Sequence, residues 1–222
     1  MIDRSSRSEL EARVGAIHRI APVGGGCVAN ASRLEAERGT FFVKAAGGDV
    51  GATFAAEARG LKALRQAAEG TGLGVPEVLL AREGLLLLEW IEPGRARAGQ
   101  AQRFGEGLAA LHRKPTPGGG AYGFDGDNFI GRLPQRNEWR GDWPAFFREL
   151  RLAPQIERAR TGGRWFAGWD GMAERLLAGL DGWLPRTPHP SLLHGDLWSG
   201  NQLAGADGRT WLVDPAVYVG DR

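Results

Sequence analysis

The sequence predicts an α+β fold in two lobes, a small antiparallel sheet followed by a mainly helical part. Strand-like runs are concentrated in the first part, as at residues 40–45 and 85–91. The tripeptide Glu92-Pro93-Gly94 then breaks the pattern, and most later segments have the apolar spacing of helices. We therefore expect one lobe at residues 1–91 and a second at residues 92–222.

The composition is that of a globular chain of 222 residues, with 42% hydrophobic residues and a formal charge of +2. Cys27 is the only cysteine, which excludes an internal disulfide and a cysteine-based metal site. The polar N-terminus lacks a signal-peptide core, and the longest apolar run, residues 85–88, is too short to span a bilayer. The arginines of the chain are dispersed among acidic residues. We interpret the protein as soluble and cytoplasmic, with no membrane or nucleic-acid partner.

The first motif is a glycine cluster, after a helix predicted at residues 8–17. Gly24, Gly25 and Gly26 directly precede Cys27. Glycine lets the backbone approach a ligand closely, and successive N–H groups in such a turn form an anion-binding concavity. An ordinary hairpin turn would explain the same residues, and the Gly-Lys-Ser/Thr of a Walker A loop is absent. The cluster predicts a phosphate-covering loop only together with other motifs.

A lysine in the next strand supplies such a motif. Lys44 lies near the end of residues 40–45 and is one of three lysines in the chain. A glycine-rich hairpin followed by a strand ending in Val-Lys is the order in which protein-kinase-like folds place their phosphate-binding lysine. A helix predicted at residues 53–69 carries Glu57 on its apolar face, where a carboxylate needs a cation. We expect Glu57 to pair with Lys44; an exposed lysine and a solvated glutamate are the alternatives.

Two more strands, at residues 75–80 and 85–91, precede the break between the lobes. In a kinase-like fold the backbone of Glu89, Trp90 and Ile91 would bind the edge of adenine. Further helices are predicted at residues 99–113, 143–156 and 169–184, and an irregular glycine-rich loop at residues 116–133.

The motif with the clearest chemistry is the segment at residues 194–201, His-Gly-Asp-Leu-Trp-Ser-Gly-Asn. It contains Asp196 and Asn201, and Asp214 follows a strand-like run thirteen residues later. This pattern suits phosphoryl transfer from a nucleotide, with Asp196 taking the proton of a substrate hydroxyl and Asn201 and Asp214 holding magnesium. The alternative without a catalytic function is that His-Gly-Asp forms a surface turn and that Asp214 caps the end of a strand.

Taken together, these motifs resemble the fructosamine kinase (ketosamine-3-kinase) family. The resemblance rests on the following ordered set of segments: residues 24–27 (Gly-Gly-Gly-Cys), 41–44 (Phe-Phe-Val-Lys), 57–61 (Glu-Ala-Arg-Gly-Leu), 122–131, 142–149, 194–201 and 214–216 (Asp-Pro-Ala). It implies a bilobal protein-kinase-like fold and ATP-dependent phosphorylation of the 3-hydroxyl of ketosamines, which destabilises the adduct and frees the amine. The substrate would be a small-molecule or a protein-bound ketosamine.

The resemblance also implies roles for single residues. Asp196 would be the base, Asn201 and Asp214 the Mg²⁺ ligands, and Lys44 the lysine on the ATP phosphates with Glu57 as its partner. The loop at residues 24–27 would cover the phosphates. Trp198 would stack on the sugar or simply pack beside the catalytic loop.

Three alternatives remain open at this stage. A related small-molecule kinase of the aminoglycoside- or choline-kinase type shares the Asp, Asn and later Asp. Members of the family continue past Arg222, so the second lobe is expected to be incomplete, and an inactive nucleotide-binding remnant is a further possibility. Cys27 in the phosphate loop is expected to be redox-sensitive or to pack as a small hydrophobe, giving a monomer or a thiol-linked dimer.

Overall fold

The computed structural model describes residues 2–24 and 30–222, and its main feature is a five-stranded antiparallel sheet in the order β1-β2-β3-β5-β4. The strands are β1 (Ile17–Pro22), β2 (Asn30–Ala36), β3 (Gly39–Ala45), β4 (Val78–Arg82) and β5 (Leu85–Glu89). Lys44 therefore lies on the central strand. The last strand of the sheet ends at Glu89, two residues before the predicted lobe boundary.

Helix α1 (Arg4–Val14) covers one face of the sheet. Asp3 caps its N-terminus through its side chain, and Gly15, with a φ of 78°, follows its last residue. Leu10 and Val14 are buried against the strands. The prediction of a helix at residues 8–17 was wrong in its bounds, because the cap at Asp3 starts the helix four residues earlier.

Helix α2 (Gly48–Ala68) covers the opposite face. Its buried apolar residues recur at helical spacing: Phe54, Ala58, Leu61, Leu64 and Ala68. The helix starts five residues before the predicted start at residue 53. The sequence did not signal this extra turn because its glycines have low helix propensity.

Four more helices follow: α3 (Gln100–His112), α4 (Trp143–Phe147), α5 (Ala153–Thr161) and α6 (Asp170–Trp183). A single π-helical turn, Arg148–Leu152, connects α4 to α5. Pro154 has no N–H to offer to the carbonyl of Leu150, and the guanidinium of Arg151 donates to that carbonyl instead, at 2.9 Å. Within the described ranges, no helix has the length and apolar character needed to cross a membrane.

Three short antiparallel pairs position the loops of the second part. They are β6 (Asn128–Ile130) with β7 (Leu133–Gln135), β8 (Ser191–Leu193) with β11 (Tyr218–Gly220), and β9 (Gln202–Ala204) with β10 (Thr210–Leu212). Residues 194–201 thus connect β8 to β9, and Asp214 lies between β10 and β11. The β6–β7 hairpin falls mostly within the loop that was predicted to be irregular.

Candidate functional site

Lys44 lies at the centre of a charged cluster built from three parts of the fold. Its Nζ is 2.8 Å from Oε1 of Glu57 on α2 and 2.5 Å from Oδ1 of Asp214. The side chains of Lys44 and Glu57 are 11% and 14% exposed, whereas that of Asp214 is 46% exposed. The cluster contains the ion pair that the sequence predicts, and it leaves one carboxylate open to solvent.

Burial acts on the protonation of both members of the ion pair. Desolvation disfavours the charged lysine, but the Glu57 and Asp214 carboxylates outweigh this effect and raise the pKa of Lys44. Burial also raises the pKa of Glu57, although the Lys44 ammonium pulls it down. Glu57 therefore depends on Lys44 to remain ionised, and losing either partner destabilises the other.

Asp214 has a strained backbone. Its φ of 54° is the single positive value among the non-glycine residues that the structure describes. Such a conformation costs about 1–3 kcal/mol and persists only where its surroundings fix it. The Ala216 N–H donates to the His194 carbonyl at 2.9 Å, and a Cβ at Gly195 would overlap the Ala216 carbonyl. The motif glycine therefore allows the segment after Asp214 to pack directly on the loop at residues 194–201.

Asn201 brings the two predicted acids together. Its Nδ2 lies 2.8 Å from the Asp196 carbonyl, 3.2 Å from Asp196 Oδ2 and 3.5 Å from the Asp214 carbonyl. The side chain is only 6% exposed, so these contacts are shielded from water. The amide therefore fixes the Asp196 carboxylate against the loop.

His194 is a buried residue that fixes the loop at residues 194–201 through its ring nitrogens. It is 2% exposed, its Nε2 is 3.0 Å from the Val213 carbonyl, and the Asp196 N–H donates to its Nδ1 at 3.3 Å. Both contacts are hydrogen bonds when Nε2 carries the proton. Burial lowers the pKa of His194, which favours this neutral form. This histidine is part of the motif at residues 194–201, but the motif alone did not predict a role for it.

The oxygens beside Asp214 suit a hard cation. Magnesium takes oxygen ligands, commonly one or two carboxylates completed by phosphate oxygens and water. Asp214 offers a half-exposed carboxylate, and Asn201 uses Nδ2 for its neighbours, so Oδ1 is the oxygen it can offer. No group of three or more His, Cys, Asp or Glu side chains in residues 2–24 and 30–222 could enclose a metal. The pair fits a cation whose remaining ligands come from a nucleotide.

The glycine-rich loop is described only at its first residue. Gly24 is exposed in a bend after β1, and a Cβ there would meet open space. Gly25, Gly26 and Cys27 lie outside the described residues, so the predictions for a phosphate loop and for a reactive thiol stay predictions.

The predicted adenine-binding segment leaves β5 beside a pocket of about 200 Å³. Glu89, Trp90 and Ile91 line this pocket with residues 205–207, and Lys44 is not among its lining residues. The Glu89 carboxylate accepts from the Glu77 N–H at 3.1 Å, so it is engaged on the sheet. The backbone of this segment, and not the Glu89 carboxylate, is therefore the candidate for binding a base.

Two apolar residues that lie close in the chain to predicted site residues were missed by the sequence analysis. Phe42 lies two residues before Lys44 on β3 and shares its face of the sheet. Leu203, 41% exposed, follows Asn201 by two residues at the start of β9. For Phe42 the available signal was the period-two alternation of the strand that carries Lys44. Leu203 follows the 3₁₀ turn Ser199–Asn201, so only its position in the chain, two residues after Asn201, could have drawn attention to it.

Trp198 lies against the loop at residues 194–201 with much of its ring in solvent. The side chain is 58% exposed, and a Cβ at Gly200 would overlap the indole ring. The glycine therefore lets the ring lie flat on the backbone two residues from Asp196. Stacking on a ligand and packing on the loop are both compatible with this position.

Comparison with known proteins places these features in a family context. The fructosamine kinase family model matches residues 3–222. A "Probable ketoamine kinase" of Enterococcus faecium is 35% identical over 212 residues, covering 92% of this chain and 72% of that protein. The "Protein-ribulosamine 3-kinase, chloroplastic" of Arabidopsis thaliana is 34% identical over 219 residues, covering 95% of this chain and 64% of that protein.

Solved structures agree with the sequence relatives. A Thermobifida fusca protein assigned as a fructosamine-3-kinase superposes with a TM-score of 0.83 at 32% identity, covering 97% of this chain and 74% of that one. Aminoglycoside phosphotransferase APH(4)-Ia superposes with a TM-score of 0.64 at 15% identity, covering 98% of this chain and 73% of that one, which shows a shared fold. The predicted α+β kinase-like fold is confirmed. The chain spans about two thirds of the length of the sequence relatives described above.

Proposed function

The chain belongs to the fructosamine kinase family, and from this premise we propose that it phosphorylates ketosamines at the sugar 3-hydroxyl with ATP as donor. The observation that carries the proposal is the Lys44–Glu57–Asp214 cluster, which Asn201 joins to Asp196. The names of the relatives describe them as ketoamine and ribulosamine kinases, which supports a ketosamine acceptor. Phosphorylation would turn the 3-hydroxyl into a leaving group next to the keto carbon.

Asp196 is the proposed base. Asn201 holds its carboxylate by a hydrogen bond at 3.2 Å, and His194 accepts its backbone N–H. A carboxylate fixed in this way orients a sugar hydroxyl and accepts its proton as the oxygen attacks phosphorus. Fixing the acid before the substrate arrives lowers the entropy cost of reaching the reactive geometry.

Lys44, Asn201 and Asp214 form the proposed phosphate and metal site. Lys44 is charged and directed by Glu57, so it presents a fixed positive charge to phosphate oxygens. Asp214 and Asn201 would hold Mg²⁺ through their side-chain oxygens. The bound cation would neutralise charge on the transferred phosphoryl group.

The base of the nucleotide is proposed to lie between Phe42 and Leu203. Phe42 lies on the sheet beside Lys44, and Leu203 is an exposed apolar residue beside Asn201. An aromatic ring and a leucine on opposite sides of a flat base give favourable apolar contact. The backbone at Glu89, Trp90 and Ile91 would bind its polar edge. This assignment places the nucleotide between the proposed lobes, residues 1–91 and residues 92–222.

Trp198 is the proposed contact for the ketosamine. Its ring is exposed and lies two residues from Asp196. Indole surfaces stack on the C–H face of sugars, and they also attract cations such as a protonated amine.

The decisive experiment measures ATP turnover with the ribulosamine and fructosamine adducts of lysine. Mass spectrometry should show one added phosphoryl group on the adduct, followed by release of free lysine. Free fructose, an aminoglycoside and choline serve as competing acceptors. Preferred turnover of an aminoglycoside or choline, with none of the adducts, would contradict the proposal.

A further inference from the structure

Two buried amides of the β6–β7 hairpin contact the segment that follows Asp214. Asn128 donates through Nδ2 to the Val217 carbonyl at 2.7 Å, and Gln135 donates through Nε2 to the Ala216 carbonyl at 3.3 Å. Gln135 also donates to Asn128 Oδ1 at 2.9 Å. The two side chains are 6% and 7% exposed, so these hydrogen bonds form out of contact with water.

The position of these contacts matters because Asp214 is strained. The two accepting carbonyls lie two and three residues after Asp214, whose φ is 54°. On the other side, Gly195 and His194 fix the same segment through Ala216. The segment is therefore held between the catalytic loop and the hairpin, which keeps the left-handed backbone of Asp214 in place.

The same hairpin is tied to α2, the helix that carries Glu57. Arg59, two residues after Glu57, donates to the Asp127 carbonyl at 3.0 Å, and α2 packs against β6. Both carboxylates that contact Lys44 thus belong to elements that the hairpin touches. A shift of the hairpin would move Glu57 and Asp214 relative to each other.

The hairpin is in turn anchored by a stacked arginine. Arg151 donates to Asn137 Oδ1 at 2.6 Å and to the Arg136 carbonyl at 2.7 Å. Its guanidinium carbon lies 4.0 Å from the centre of the Tyr218 ring, at the far end of the segment after Asp214. The hairpin is therefore attached to that segment at two places.

We propose that Asn128 and Gln135 are positioning residues that hold Asp214 in the orientation in which it binds a divalent cation and contacts Lys44. This inference rests on the proposed nucleotide site, because it explains how the metal ligand is set. It makes the β6–β7 hairpin a built-in clamp on both partners of Lys44.

The test compares Gln135→Met with Arg158→Met. Gln135→Met keeps the side-chain volume and removes both hydrogen bonds of Gln135. Arg158 donates to the Pro134 carbonyl on the outer side of the same hairpin at 2.7 Å, so Arg158→Met weakens the hairpin without touching residues 214–217. A double variant, Asn128→Leu with Gln135→Met, removes both buried amides in case an unpaired Asn128 oxygen prevents folding.

Two measurements are made on each variant. Amide hydrogen exchange of residues 213–219 should become about tenfold faster in Gln135→Met and in the double variant, and stay unchanged in Arg158→Met. Titration of magnesium at fixed ADP, followed by tryptophan fluorescence, should require about tenfold more magnesium in the first two proteins. Affinity for ADP without magnesium should change little.

Unchanged exchange at residues 213–219 in Gln135→Met would overturn the clamp. Faster exchange with an unchanged magnesium requirement would overturn the positioning role. Wild-type protein without magnesium-dependent ADP binding would refute the proposed function and, with it, the positioning role, and exchange alone would then decide whether the clamp exists.

Discussion

Lys44 Nζ and Asp214 Oδ1 lie 2.5 Å apart although 170 positions separate the two residues in the sequence. The contact joins the central strand of the sheet to the loop after β10. One oxygen of the Asp214 carboxylate, which is also the proposed metal ligand, faces the ammonium. Lys44 therefore sets the orientation of the carboxylate before a cation binds.

The first prediction concerns the coupling between Lys44 and Glu57. Lys44→Met should weaken ADP binding and lower turnover, and Glu57→Gln should reproduce part of the effect, because Glu57 orients the ammonium. A double-mutant cycle on stability should give a coupling of about 0.5–3 kcal/mol. Lys62→Met, on the exposed side of α2, is the matched control. Zero coupling would mean that the ion pair is absent in solution.

The second prediction concerns the pH dependence of the Lys44→Met protein. Burial raises the pKa of Glu57, and removing the ammonium raises it further. The folded state then binds this proton more tightly than the unfolded state, so the stability from Glu57 is present at low pH and lost as pH rises through the folded pKa. Relative to wild type, the free energy of unfolding of Lys44→Met should therefore fall as pH rises from the usual glutamate value of 4.5 through the raised pKa of Glu57.

Thermal or urea unfolding across this range tests the pH prediction. The double variant Lys44→Met with Glu57→Gln has no carboxylate at this position, so its difference from wild type should vary much less with pH. An equally steep curve for the double variant would assign the effect to another group.

The ion pair between Lys44 and Glu57 was predictable from sequence, whereas the contact of Asp214 with Lys44 was not. Glu57 could be placed on the buried face of α2 because helical periodicity is a local signal, and burial implies a cation. The contact of Asp214 with Lys44 depends on how distant segments pack, and nothing in the local sequence signals a φ of 54° at an aspartate. The motif predicts a metal-binding role for Asp214, which stays a prediction, but it does not predict the geometry of this residue.

The contacts of the β6–β7 hairpin were likewise not predictable from the local sequence. Residues 116–133 were predicted to be irregular because glycines dominate the segment, yet they contain β6 and the start of β7. Asn128 reaches a carbonyl 89 positions away, at Val217. A buried asparagine looks like any loop asparagine in sequence, since only tertiary packing removes it from water.

The third prediction concerns the base. Asp196→Asn should lower kcat by about 10²–10⁴-fold because the amide cannot accept the substrate proton. ADP affinity should stay near that of wild type, since Asp196 is proposed to contact the acceptor hydroxyl and not the nucleotide. Near-normal turnover of the variant would remove Asp196 from the mechanism. Asp125→Asn, an exposed carboxylate in the loop before β6, controls for the loss of charge.

The fourth prediction concerns His194. Burial lowers its pKa, so the unfolded state binds this proton more readily as pH falls below about 6.5. Its contribution to stability is therefore present above the unfolded pKa and lost as pH falls toward the folded pKa, at up to about 1.4 kcal/mol per pH unit. His194→Gln should flatten the decline of Tm as pH falls below the usual histidine pKa of 6.5.

Exposed His189 provides the control for that experiment, because His189→Gln should leave the decline unchanged. Some slope should remain in His194→Gln, since burial also lowers the pKa of His112. A full wild-type slope in His194→Gln would show that the buried ring does not set acid stability.

The fifth prediction concerns the glycine beneath Trp198. A Cβ at residue 200 would overlap the indole ring, so Gly200→Ala should displace Trp198 and shift its fluorescence emission. If the ring contacts the ketosamine, KM for the adduct should rise by about tenfold while ADP affinity stays constant. Gly105→Ala, at an exposed helical position where a Cβ meets open space, should change neither quantity.

Substitutions of Trp198 itself provide a second test. The KM of Trp198→Phe should lie between the values of wild type and Trp198→Ala, because a smaller ring keeps part of the stacking surface. Equal KM values in all these proteins would show that Trp198 only packs on the loop.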